Sequence, residues 1–251
     1  MAKNVCAICG AEVNLFSGQQ LADKNYICRK VCVKKCLKAF DFIPATLDEV
    51  KSHIEQVEKG TKAWNQIFVP LQKTKVKEEK LKRFGADIYV SPSTGLMALV
   101  ETRYKFIVFG KSQFACVYRI ADLAAYEYEE ETVKNYEGKE EINHYCHLFF
   151  HNTAGLYDFR FSISGNMEFK ELEKYFDTLF GIQKTLGNSL NNAKKQWAAI
   201  KDVAGAVKAA ASGAEDAEAK ATQAAESVGN YLEGDRTELI AKADAALATV
   251  K

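Results

Sequence analysis

Five of the seven cysteines in this 251-residue chain lie at positions 6, 9, 28, 32 and 36. No other feature constrains the N-terminus as strongly. Two residues between Cys6 and Cys9 let one turn aim both sulfurs at a single ion, and Gly10 relieves the backbone just after them. A second group opens at Cys28, with eighteen residues between it and Cys9. Two close pairs at that separation read as a structural site of four thiolates around Zn2+, with no open position for substrate. Such clustering argues for metal over disulfides, and reduced cysteines serving as small apolar groups would not gather so densely.

The second pair is open to two readings. Cys28-x3-Cys32 would place its ligands just before a helix, whereas Cys32-x3-Cys36 would set both on successive turns of one helix face. The expected ligands are Cys6, Cys9, Cys28 and Cys32, with Cys36 as the alternative fourth ligand and otherwise a packing thiol beside Leu37 and Phe40.

Charge is unevenly spread. Residues 1–83 carry 16 Lys/Arg against 9 Asp/Glu, so the net charge of +1 combines a basic front with an acidic remainder. No apolar run reaches the roughly 18 residues of a spanning helix, and MAKNVCAICG lacks the apolar core of a secretory signal. A cytoplasmic location, bacterial in style, is expected.

Four regions follow from the pattern. Residues 1–42 form the cysteine module. Residues 45–83 hold a helix and a charged connector: Thr46 and Glu49 make a capping box, Leu47, Val50, Ile54 and Val57 recur at helical spacing, and an interruption is expected near Gly60. Residues 86–182 turn to short β-branched and aromatic runs: ADIYVS, LMALV, YKFIVF, FACVYRI, AYEYEEE, HYCHLFFH and LYDFRFSIS. Seven strands closed by a helix through Met167, Leu172, Tyr175, Phe176, Leu179 and Phe180 outline a small barrel or sandwich. Residues 184–251 are alanine-rich and proline-free, which favours helix broken near Gly229 to Asp235. Small residues from Ile200 to Leu232 approximate a 3.5-residue seam suited to docking against a partner or itself.

CAICGAEVNLFSGQQLADKNYICRKVC resembles the N-terminal module of a bacterial domain-of-unknown-function family built as a zinc-ribbon-like unit. The matched positions are Cys6, Ile8, Cys9, Gly10, Leu21, Asp23, Ile27 and Cys28, and one residue is inserted before Cys32. FACVYRIADLAAYEYEEE and the following helix resemble the pleckstrin-homology (PH) or GRAM-type domains that accompany this module. The resemblance implies an α+β multidomain chain: zinc-ribbon-like module, linking helix, PH-like antiparallel β barrel or sandwich closed by a helix, and an Ala-rich helical tail.

Catalytic chemistry finds no constellation. His147 and His151 alternate with His144 and Cys146 along one strand, so no three converge without a bulge. Gly110-Lys111-Ser112 lacks the glycine spacing of a phosphate loop. Asp122 and Glu127 to Glu131 read as a solvated strand edge. Specific phosphoinositide binding is not expected, because the turn Ser91 to Gly95, taken as the first between strands, carries no Lys or Arg. Basic clusters at Lys24 to Lys38 and Lys73 to Arg83 leave nucleic acid as an alternative partner, but no stacking aromatics are interleaved. The reading is a non-enzymatic modular binding or scaffold protein for protein partners or self-association. Its alternatives are a nucleic-acid-binding regulator and a peripheral membrane-surface adaptor.

Overall fold

The computed structural model describes residues 4–104, 110–150, 155, 156, 158–180 and 236–251. Two small hairpins open the chain. β1 (Asn4–Val5) pairs with β2 (Glu12–Val13), and β3 (Gly18–Gln20) pairs with β4 (Tyr26–Cys28). A 3-10 turn, Val33–Lys35, follows Cys32.

Helix α1 (Leu47–Ala63) starts where the capping box places it: the Glu49 amide donates to Thr46 Oγ1, and the Thr46 amide donates to Glu49 Oε2 at 2.7 Å. The interruption expected at Gly60 does not occur. Gly60 lies where α1 crosses the sheet, and a Cβ there would sit 2.3 Å from the Ala115 carbonyl oxygen. Glycine at this point allows close approach instead of ending the helix. A π-helical turn, Trp64–Phe68, continues into α2 (Val69–Leu71). Pro70 has no N–H to give to the preceding turn, and the wider turn sits directly before it.

Two antiparallel sheets follow. The first is ordered β5 (Lys82–Phe84), β6 (Ile88–Ser91), β7 (Leu96–Tyr104), β8 (Lys111–Arg119). The second comprises β9 (Leu123–Lys134), β10 (Glu140–Phe150) and β11 (Asp158–Ile163), with β10 central. A 3-10 turn, Ile120–Asp122, passes the chain from one sheet to the other. Among the described residues no ladder joins the sheets, so the expected barrel alternative gives way to two separate sheets. The charged connector also hides a strand, because β5 is Lys-Arg-Phe with only Phe84 buried. Consequently the first hairpin turn is at Gly85 to Asp87, and Ser91 to Gly95 is the second. The cations beside that first turn are Lys82 and Arg83. Arg83 donates to the Ala86 carbonyl and stacks over Tyr89.

Helix α3 (Asn166–Leu179) buries Leu172 and Phe176. Phe84 and Tyr126 stack against Phe176, and Glu168 accepts the Gly85 amide at 2.8 Å, tying the helix to both sheets. The apolar run LMALV is buried throughout because β7 is covered on both faces, the condition under which a strand loses its polar alternation. Leu99 and Met97 join the main core, while Leu96, Ala98 and Val100 pack with Trp64, Phe68 and Ala243 on the other side. Ala243 belongs to α4 (Thr237–Leu247), whose Asp244 meets Arg119 at 3.1 Å. The tail therefore returns to its own sheet at 236–251. The rest of the helical reading and its seam, 184–235, lie outside the described residues. Buried residues of the cysteine module, α1 and both sheets make one contiguous cluster, so α1 is a core element as well as a link. No helix among the described residues is long and apolar enough to cross a membrane.

Candidate metal centre

The two hairpins bring together the cysteines at their ends. Cys6 leaves β1, and the Gly10 amide closes the turn onto the Cys6 carbonyl at 2.9 Å. Gly10 has φ +74°, and a Cβ there would meet nothing within 4 Å, so backbone conformation and not space demands glycine. Cys28 ends β4, and Cys32 begins the 3-10 turn.

The sulfurs of Cys6, Cys9, Cys28 and Cys32 all lie within 4.8 Å of one another. Cys6 Sγ is 3.6 Å from Cys32 Sγ, and Cys9 Sγ is 3.5 Å from Cys28 Sγ. A tetrahedron with metal–sulfur bonds of about 2.3 Å has edges of about 3.8 Å. These contacts match that spacing and are far too long for disulfides; all four cysteines are free. The Cys28 amide donates to Cys6 Sγ at 3.2 Å and the Cys32 amide to Cys28 Sγ at 3.4 Å. Such bonds stabilise thiolates, the ligating form.

The electrostatics suit a site for a cation. Burial opposes ionisation of Cys6, but the amides of Cys9, Ile8 and Cys28 aimed at its sulfur bring its pKa down to about 6. Burial and the neighbouring thiols push Cys32 up. Four thiols this close cannot all ionise unaided, whereas a divalent ion neutralises the repulsion. The four could hold a metal. Cys36 is apart: its Sγ points to the Cys32 carbonyl at 3.9 Å, and burial raises its pKa to about 12.

Sequence reasoning missed the residues that fasten this module. The guanidinium of Arg103 donates to the Cys36 carbonyl at 2.6 Å and to the Lys34 carbonyl. Glu101, two residues away on the same face of β7, holds Arg103 at 2.6 Å and accepts the Lys38 amide at 2.7 Å. The i, i+2 pairing of opposite charges was the available signal. Arg103→Met should cost about 2 kcal/mol, since charged hydrogen bonds contribute about that much each way when half-buried; urea denaturation midpoints measure it.

His53 makes the second attachment. Its Nε2 accepts the Leu37 amide at 3.1 Å, Nδ1 faces Gln56 Oε1 at 3.0 Å, and Phe40 stacks on the ring at 4.5 Å. Burial lowers its pKa from 6.5 to about 4, outweighing the hydrogen bond that Nδ1 donates to Gln56 Oε1, which raises it. The unfolded chain therefore takes the proton first. The stability His53 contributes is fully present above pH 6.5 and is lost as pH falls toward 4, by about 3 kcal/mol at most. The difference in melting temperature between wild type and His53→Gln should narrow from pH 7 to pH 5; subtracting the two cancels whatever the thiols contribute.

The histidines of β10 do not converge. His144 Nδ1 meets Tyr128 Oη at 2.7 Å on one face. On the other, His147 Nε2 meets Glu129 at 2.5 Å, and Arg160 donates to Glu129 and Glu131 while lying over Tyr145. His151 lies outside the described residues. The glutamates read as a bare solvated edge are thus partly engaged across the sheet, although β9 is indeed an edge strand. Cys146 is buried, its sulfur points to the His147 carbonyl at 3.7 Å, and burial raises its pKa. No protein family, curated protein or solved structure matches the chain.

Proposed function

We infer that Cys6, Cys9, Cys28 and Cys32 bind one Zn2+ whose role is structural, and that the chain is a non-enzymatic scaffold presenting binding surfaces. The observation that carries this is the set of four sulfurs all within 4.8 Å of one another, two of them accepting backbone amides. Four thiolates leave no coordination position for substrate. The module has few buried apolar side chains of its own, chiefly Val13, Leu21, Ile27, Leu37 and Phe40. So small a core needs a metal to hold it.

Residues 82–180 supply the second part of the reading, a PH-like unit of the GRAM type. Four and three antiparallel strands followed by α3 support it. In a scaffold of this kind the β9 edge offers backbone groups to an extended peptide. Residues 184–235 contribute the docking part of the proposal on their alanine content alone.

Metal content tests the first part. One zinc per chain is expected, lost on Cys6→Ser, Cys9→Ser, Cys28→Ser or Cys32→Ser and retained on Cys36→Ser. Metal lost only at Cys36, and not at Cys32, would reverse the ligand assignment. Affinity capture with the full chain and with residues 184–235 replaced by a flexible linker, which leaves α4 on its sheet, tests the second part. A specific protein partner recovered by the full chain supports it, and retention of no protein by either form counts against it.

A further inference from the structure

The turn between β2 and β3 carries two adjacent apolar side chains that nothing among the described residues covers. Leu15 is 83% exposed and Phe16 86%, the most exposed large apolar residues near the metal centre. The turn carrying them is firmly built. Asn14 Oδ1 accepts the amides of Phe16 and Ser17 at 2.9 and 3.0 Å, Ser17 Oγ accepts the Asn14 amide at 2.9 Å, and the Gly18 amide closes onto the Asn14 carbonyl at 2.8 Å. Solvation alone does not call for so rigid a mount for a Leu-Phe pair.

Cations flank the tip. The Arg29 amide donates to the Ser17 carbonyl at 2.9 Å, which places Arg29, Lys30 and the half-exposed Val31 beside the turn. Arg29 donates to the neutral Gln19 side chain at 3.1 Å, and neither Arg29 nor Lys30 forms an ion pair among the described residues. From Lys24 to Phe40 the chain has six Lys/Arg and no Asp or Glu, so no carboxylate from this stretch offsets them.

We propose that this tip is a membrane-contact site: Leu15 and Phe16 insert into the interface of an anionic lipid surface while Arg29 and Lys30 lie at its headgroups. A protruding pair needs an occupant that wraps it. A bilayer interface does so without a matching pocket, and its anionic headgroups complement the unpaired cations. Nucleic acid would use the cations, but Leu15 would gain nothing from stacking. The proposal rests on the metal-held module, because β2, β3 and β4 position the turn.

The test is sedimentation of the metal-loaded full chain with vesicles of equimolar phosphatidylglycerol and phosphatidylcholine, and with phosphatidylcholine alone. Binding to the anionic vesicles and not the neutral ones is expected. It should weaken with salt and fall by about a hundredfold in a Leu15→Ser, Phe16→Ser double variant. Both side chains are exposed, so the double variant should keep wild-type metal content and melting temperature. Arg29→Gln with Lys30→Gln should weaken binding and flatten its salt dependence. No sedimentation of wild type with anionic vesicles at low salt overturns the proposal, as does undiminished binding by the double variant. Tip-dependent binding to a mixed-sequence single-stranded oligonucleotide in place of vesicles also overturns it. Metal measured on the same samples separates this failure from a failure of the zinc reading, since a wild type without zinc counts against the latter alone.

Discussion

Replacing Cys28 by serine should release the metal and unfold residues 4–42 while the two β-sheets keep their structure. Structural zinc sites contribute on the order of 10 kcal/mol at neutral pH, comparable with the whole stability of an ordinary domain. The hairpins they hold are two and three residues long and cannot persist alone. Cys28 is also the ligand at which several supports meet: its amide donates to Cys6 Sγ, its own sulfur accepts the Cys32 amide, and it pairs with Gly18 across β3 and β4. Serine keeps the shape but offers a poor ligand for zinc. Hydrogen exchange measured by mass spectrometry should show protection lost across the module. Protection in β6 to β10 should survive, and chelation of the wild type should reproduce the pattern. Cys36→Ser is the matched control, since that thiol is equally buried but stands outside the cluster.

Gly60→Ala should destabilise the chain by about 2 kcal/mol or more, against the direction that helix propensity gives. In an exposed helix, alanine in place of glycine gains about 1 kcal/mol. Here the added Cβ would stand 2.3 Å from the Ala115 oxygen and 2.9 Å from the backbone of Cys116 and Val117. Those are backbone atoms of a paired strand, not the ends of flexible side chains, so α1 must lift from β8. Lifting it loosens Val57 and Trp64, which are buried on either side. A lowered melting temperature checks the sign, whereas a raised one would mean that the helix relaxes freely and the close approach is not a constraint.

The cysteine cluster was the most legible part of this chain because thiol spacing is a local code. Cys6, Cys9 and Cys28 follow from it directly. Choosing between Cys32 and Cys36 needed tertiary information: one more turn of backbone carries Cys36 past the cluster into the packing around Leu37 and Phe40. Gly60 was misread for a related reason. Glycine in a helical pattern signals either a break or a close contact, and only the strand lying across it distinguishes them. β5 escaped notice because its two charged side chains masked a strand whose one apolar residue, Phe84, packs on α3. YKFIVF was expected as a strand separate from LMALV. β7 runs unbroken from Leu96 to Tyr104, and the remainder of YKFIVF, 105–109, lies outside the described residues. The alternation of Glu101 and Arg103 signals a charge pair, but not what the pair and His53 hold, because their partners are backbone groups far along the chain, at Lys34, Cys36, Leu37 and Lys38. The return of α4 to the outer face of β7 and β8 was hidden similarly. Gly95, at φ +64° with Leu239 O 2.3 Å from its would-be Cβ, reads in sequence as a turn residue and nothing more.

X-ray absorption at the zinc edge on the purified full chain tests the zinc site most directly. It should report four sulfur ligands at about 2.3 Å and no lighter neighbour at bonding distance. Nitrogen or oxygen among the ligands, or a chain that carries no zinc and pairs these cysteines as disulfides, would contradict a closed four-thiolate centre.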